Sequence, residues 1–223
     1  MNDRPQPGET GARREVAARK AGWARVAAAR LADAGIKPNW ISWLSVVFAG
    51  GAGTCLVLAG RSDAEPASAL VVLSVMLIAC RLLCNLFDGM VAVEGGLGTK
   101  SGEIFNDLPD RISDPIIIVC AGYAIRDLRF GIELGWLAGL LSVLTAYARM
   151  LAGATGATQV FLGPMAKQHR MAVLTAALLA FAVAARWTCH GYIVAVALGV
   201  IALGCAITIA RRVAAAVREL ESQ

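Results

Sequence analysis

The chain has 223 residues, 57% of them hydrophobic, with a mean hydropathy of +0.63, too apolar for a soluble domain of this length and typical of a membrane protein. Ala, Leu, Val and Gly supply the apolar bulk while aromatics make up only 6%, which suits closely packed helices in lipid and excludes a soluble sheet protein. The formal charge is +5, and its Lys and Arg residues follow membrane topology rather than forming a nucleic-acid-binding surface.

Residues 1–11, with two prolines and two glycines, read as a disordered tail. The basic segment 12–38 is rich in helix formers and sets Val16, Trp23, Ala27 and Leu31 near one face. It reads either as an interfacial helix on an anionic leaflet or as an ordinary positive flank of the first span. No apolar stretch before Trp40 is followed by a small-residue cleavage site, so a cleaved signal peptide is not expected.

From residue 39 to 213 the pattern is that of one membrane domain. Crossing a bilayer takes about 20 apolar residues in a helix. Candidate spans are 40–60, 67–92, 106–125, 132–154, 171–185 and 191–210, the fifth being short enough to start nearer Lys167. Residues 214–223 follow as a cytoplasmic tail. Six spans put both termini on one side. Eight Lys and Arg precede Trp40, and Lys100, Lys167, Arg170, Arg211, Arg212 and Arg218 fall on the same side. Only Arg61, Arg126, Arg129 and Arg186 fall opposite, so both termini are assigned to the cytoplasm and the protein to the inner membrane. The six cysteines lie in or beside apolar runs without CxxC spacing and read as small buried hydrophobes.

Ionisable residues inside spans are costly, and here they cluster. In the second span Arg81, Asn85 and Asp88 fall within an arc of about 60° at 100° per residue, and in the third Asn106, Asp107, Asp110 and Asp114 fall within about 100°. A glycine-rich connection with Gly95, Gly96, Gly98 and Gly102 joins the two stripes and permits close approach of backbone to a ligand. Oxygen ligands of this kind suit Mg²⁺ or Mn²⁺ better than Zn²⁺, and neither His169 nor His190 has metal-ligand spacing. The same residues also admit a purely structural network in which Arg81 and Arg111 neutralise Asp88, Asp110 and Asp114.

Asn85-Leu86-Phe87-Asp88-Gly89-Met90-Val91-Ala92, followed by Gly102, Asn106 and Asp110, resembles the signature of CDP-alcohol phosphotransferases, D-x2-D-G-x2-A-R-x8-G-x3-D-x3-D. Spacing is kept at every position. Asn85, Val93 and Asn106 stand where the family usually has Asp, Arg and Asp. Lys37-Pro38-Asn39-Trp40-Ile41-Ser42 is similar to the family's entry to its first span, and Tyr147-Ala148-Arg149 to the end of its fourth span in inositol-type members.

The resemblance implies an all-α membrane fold of six helices around a cytoplasm-facing polar cavity, in a homodimer. It implies transfer of a phosphatidyl group from CDP-diacylglycerol to a small alcohol with release of CMP. Asn85, Asp88, Asn106 and Asp110 would be the metal shell for Mg²⁺ or Mn²⁺, with Asp110 the catalytic base. Gly89, Ala92 and Gly102 would let CDP approach the backbone. Two Asn for two Asp lower the shell's charge to that of one divalent ion, a deficit Asp107 is placed to offset. Lys167 and Arg170, three residues apart after the fourth span, and Arg149 near its end suit a phosphate on the acceptor. The alternative is a catalytically inactive protein of the same fold that binds a nucleotide or phospholipid.

Overall fold

The computed structural model describes residues 22–96, 102–126, 128–159, 162–184 and 190–222. Within them lie α1 (Gly22–Asp33), α2 (Pro38–Ala59), α3 (Ala64–Glu94), α4 (Gly102–Tyr123), α5 (Gly131–Ala154), α6 (Lys167–Ala184) and α7 (His190–Glu221), and no strand. The expected disordered tail and the first part of the basic segment fall outside these residues.

Among the described residues four helices are long and apolar enough to cross a membrane: α2, α3 over Ala64–Val93, α5, and α7 over Gly191–Glu221. The six expected spans therefore stand at four by composition. Helix α4 carries Asp107, Asp110, Arg111 and Asp114, and α6 opens on Lys167, His169 and Arg170. Much of that charge is turned inward: Asp110, Asp114 and Arg170 are buried, while Val47, Met76, Leu140, Val183 and Leu203 point outward. Apolar side chains outside and ions inside is the arrangement expected of a protein dissolved in lipid.

Helix α2 packs between α3 and α4, α4 against α5, α5 against α7, and α6 against α3 and α7. The contact surfaces are built from small residues such as Ala49, Ala52, Ala121 and Ala138. A Cβ added at Gly135 in α5 would lie 2.8 Å from the Val119 carbonyl oxygen and 2.9 Å from Gly122 Cα in α4, so these two backbones touch. Pro109 and Pro115 lie inside α4, and each removes one intrahelical hydrogen bond on either side of the Asp110 turn.

Two helices reach beyond the expected spans. Helix α1 buries Ala24 and Ala28 against α3 and sets the Trp23 ring edge-on to Phe87, with centroids 6.1 Å apart. Trp23 and Val26 on the same helix stay exposed. Helix α7 continues through Arg211, Arg212 and Arg218 to Glu221, so the terminal segment expected as a tail is helical. The side chain of Glu219 accepts hydrogen bonds from the Thr158 amide and hydroxyl at 3.0 and 2.6 Å, which ties the end of α7 to the α5–α6 connection.

Candidate active site

The C-terminal ends of α3 and α5, the N-terminal ends of α2, α4 and α6, and the C-terminal half of α7 meet at one end of the bundle. Their polar side chains form a continuous buried chain of charge. Arg81, fully buried in α3, donates from Nη2 to Asp110 Oδ1 and Asp114 Oδ1, both at 2.7 Å. The second oxygen of Asp110 accepts from Lys167 Nζ. The second oxygen of Asp114 accepts from Arg170 Nη2 at 3.3 Å, and Arg170 Nη1 reaches the Thr145 hydroxyl at 3.2 Å and the Met165 carbonyl at 3.3 Å. Four helices are thereby cross-linked at the depth of Asp110. In a low-dielectric interior such charges persist only as pairs.

Asp88 has different partners. Its Oδ2 accepts from the Ser42 hydroxyl at 2.7 Å, its Oδ1 from the Gly89 amide at 2.6 Å, and it lies within electrostatic reach of Asp110 and Lys167. One turn earlier, the buried Asn85 Oδ1 has no hydrogen-bond partner among the described residues. A buried acceptor left this way calls for a donor or a cation. Among the described residues no three His, Cys, Asp or Glu side chains converge to hold a metal ion, so an ion here would depend on the Asn85 amide oxygen and on oxygens brought by a substrate.

Asp107 turns the other way. Arg111 grips both its oxygens, Nη2 to Oδ1 at 2.6 Å and Nε to Oδ2 at 3.1 Å, and Arg149 Nη2 lies 3.5 Å from Oδ1. Asn106 falls in the first turns of α4, with its side chain outside the described residues. Gly89 and Ala92 are in the last two turns of α3, and Gly102 opens α4 beyond segment 97–101, which lies outside the description.

Beside Asp110 opens a cavity of about 190 Å³, lined by Asp107, Asp110, Arg111, Thr145, Ala146, Arg149, Ala166, Lys167, Gln168, Arg170 and Arg212. Five cations face two carboxylates. The sequence reading placed Asp107, Asp110, Arg149, Lys167 and Arg170 in the site, and these line one cavity. Asn85, Asp88, Gly89, Ala92 and Gly102 do not. Three contributors were missed. Ser42 stands in the sequence as the last residue of the Lys37–Ser42 motif, and a hydroxyl at the start of an apolar span is its signal. Thr145 gave none. Arg212 read as a positive flank, yet it is buried and donates from Nε to the Leu162 carbonyl at 3.0 Å and from Nη1 to the Thr145 carbonyl.

Crystal structures of phosphatidylinositol phosphate synthase from Mycobacterium tuberculosis superpose on the chain. The form with CDP-DAG bound matches with a TM-score of 0.73 at 19% identity, over 88% of this chain and 94% of that one. The chain has the phosphatidylinositol phosphate synthase fold. The synthase complex with manganese and citrate matches at 0.72 and 19% identity over 87% and 88% of the two chains, and the apo form at 0.67 and 18% over 84% and 93%. No family model and no curated protein matches the sequence.

Proposed function

We propose that the chain is a CDP-alcohol phosphatidyltransferase that moves a phosphatidyl group from CDP-diacylglycerol to a small hydroxyl compound carrying a phosphate, with release of CMP. The observation that carries this reading is the cavity in which five cations stand beside Asp110. Such a surplus of guanidinium and ammonium groups suits an anionic acceptor, with Arg149, Arg170 and Arg212 giving charge-assisted hydrogen bonds to its phosphate. The signature spacing and the donor bound to the synthase of the same fold support the choice of donor.

Asn85 and Asp88 would hold the divalent ion, Mg²⁺ or Mn²⁺, with Asp110 close by and Asn106 next in order. The partnerless Asn85 oxygen and the carboxylate of Asp88 are hard donors that fit either ion. When bound, the ion supplies positive charge against the pyrophosphate and the departing CMP. Ser42 and the Gly89 amide fix the Asp88 carboxylate, and Arg81 fixes Asp110 through Oδ1, leaving Oδ2 to face the cavity side with Lys167. Lys167 moves off Oδ2 toward the acceptor's phosphate. The acceptor hydroxyl then gives its proton to Oδ2 while its oxygen bonds to the phosphorus bearing the diacylglycerol. The bond from that phosphorus to the bridging oxygen breaks, and CMP leaves with the electron pair. Gly89, Ala92 and Gly102 would leave room for CDP against the backbone.

On this reading α2 to α7 all span the inner membrane, the polar end and both termini face the cytoplasm, α1 lies along that face, and the protein works as a homodimer. A second reading, a nucleotide- or phospholipid-binding protein without turnover, is favoured by one observation: both oxygens of Asp110 are engaged by protein cations. The two separate on CMP release from CDP-diacylglycerol with Mg²⁺ over a panel of phosphorylated and plain polyols. The transferase releases CMP with one class of acceptor and loses this in Asp110→Asn. Equal silence of wild type and variant across the panel leaves the second reading.

A further inference from the structure

The partners of Asp110 bear on how many ions such a site takes. Asp88, Asp110 and Asp114 are buried within one cluster, and Arg81, Lys167 and Arg170 are buried in or paired to it, so three carboxylates meet three cations before any metal enters. Arg81 is the fixed member. Its side chain is fully buried, one nitrogen bridges the two α4 carboxylates, and its Nε and Nη1 have no hydrogen-bond partner among the described residues. By contrast, among the described residues Asp88 is held by neutral donors, and Asn85 Oδ1 by none.

We propose that this site takes one divalent cation, on Asn85 and Asp88, and that Arg81 supplies at Asp110 the positive charge a second ion would otherwise bring. The inference rests on the metal-dependent reading given above. The six inner side chains sum to zero, with the surplus cations Arg111, Arg149 and Arg212 lying on the cavity wall, so one divalent ion at Asp88 matches the two charges of a pyrophosphate diester. A second would leave buried positive charge without a partner and would have to compete with Arg81 for Asp110 Oδ1. The two asparagines have the same consequence: each removes a negative charge that a second ion would need, while Arg81 adds a positive one. The three residues thus act as one substitution of protein charge for metal charge.

The test is stoichiometry. Purified protein in detergent is titrated with Mn²⁺, and free ion is followed by its electron paramagnetic resonance signal. Wild type is expected to take up one Mn²⁺ per chain, Asn85→Asp/Asn106→Asp also one, and the triple variant that adds Arg81→Met, prepared in Mn²⁺, two. Two ions in wild type overturn the proposal without needing any variant to fold, and one ion in the folded triple variant overturns the role of Arg81. Two ions in wild type with CMP still released sink this inference alone. No uptake together with no CMP release sinks it along with the transferase reading.

Discussion

Arg81→Met should be the most damaging single substitution in the bundle. The guanidinium is 0% exposed and its two carboxylate partners are 11% and 4% exposed, so its loss strands negative charge in a medium that solvates it poorly. Removing one member of a buried ion pair costs about 3–5 kcal/mol, against a total stability on the order of 5–15 kcal/mol for a typical domain. Asp114 keeps a 3.3 Å contact to Arg170 and Asp110 keeps Lys167, which places the expected loss toward the lower end of that range. Pairing the change with Asp114→Asn removes one stranded charge, so the double variant should be more stable than the sum of the single losses by about 0.5–3 kcal/mol. The assay is denaturant unfolding in a fixed micelle, followed by tryptophan fluorescence. If Arg81→Met unfolded within about 0.5 kcal/mol of wild type, at the level of an ordinary surface change, the buried network would not be a structural element and the reasoning about Asp110 would fail with it.

Other outcomes follow from single contacts. Ser42→Ala removes a hydrogen bond to a buried carboxylate and should weaken Mn²⁺ binding by about 10- to 100-fold, the usual range for a residue that orients a metal ligand, read by the same Mn²⁺ titration. Gly135→Ala drives a methyl group into the α4 backbone and should cost about 1–3 kcal/mol, seen as a lower thermal midpoint, whereas Gly50→Ala, with open space around its Cβ, should not. Arg149→Gln removes a charged donor from the cavity wall. It should raise the KM for a phosphorylated acceptor by about 10- to 100-fold, the loss of a charge-assisted hydrogen bond, with little change for an uncharged one.

Helix positions were largely legible because apolar length is a strong signal. The predicted 132–154 became Gly131–Ala154, and the fifth apolar segment, expected to start nearer Lys167, is helical from Lys167 as α6, though not one of the four described helices long and apolar enough to cross a membrane. The far end of α7 was not legible, since Arg211, Arg212 and Arg218 end the apolar run without ending the helix, and the Ala-rich stretch between them continues it. Within the site, spacing of three and four brought Arg81, Asn85 and Asp88 onto one face of α3, but spacing does not say which charge takes which partner. Arg111 illustrates this. The structural reading paired it with carboxylates deeper in the bundle, yet it binds Asp107, four residues earlier on its own helix, because that partner is one turn away. Arg81 does neutralise Asp110 and Asp114 as that reading held, while Asp88 turns instead to a serine hydroxyl from α2. That choice depends on how α2 is rotated, which no local pattern carries.

Whether the phosphatidyl group is transferred can be read directly by incubating the protein in vesicles of CDP-diacylglycerol with Mg²⁺ or Mn²⁺ and a radiolabelled polyol phosphate, then extracting with chloroform. The account predicts label entering the lipid phase with wild type, only when donor and ion are both present, and remaining aqueous with Asp110→Asn. Label that stays aqueous with wild type for every acceptor, while the protein still binds the donor, would contradict it.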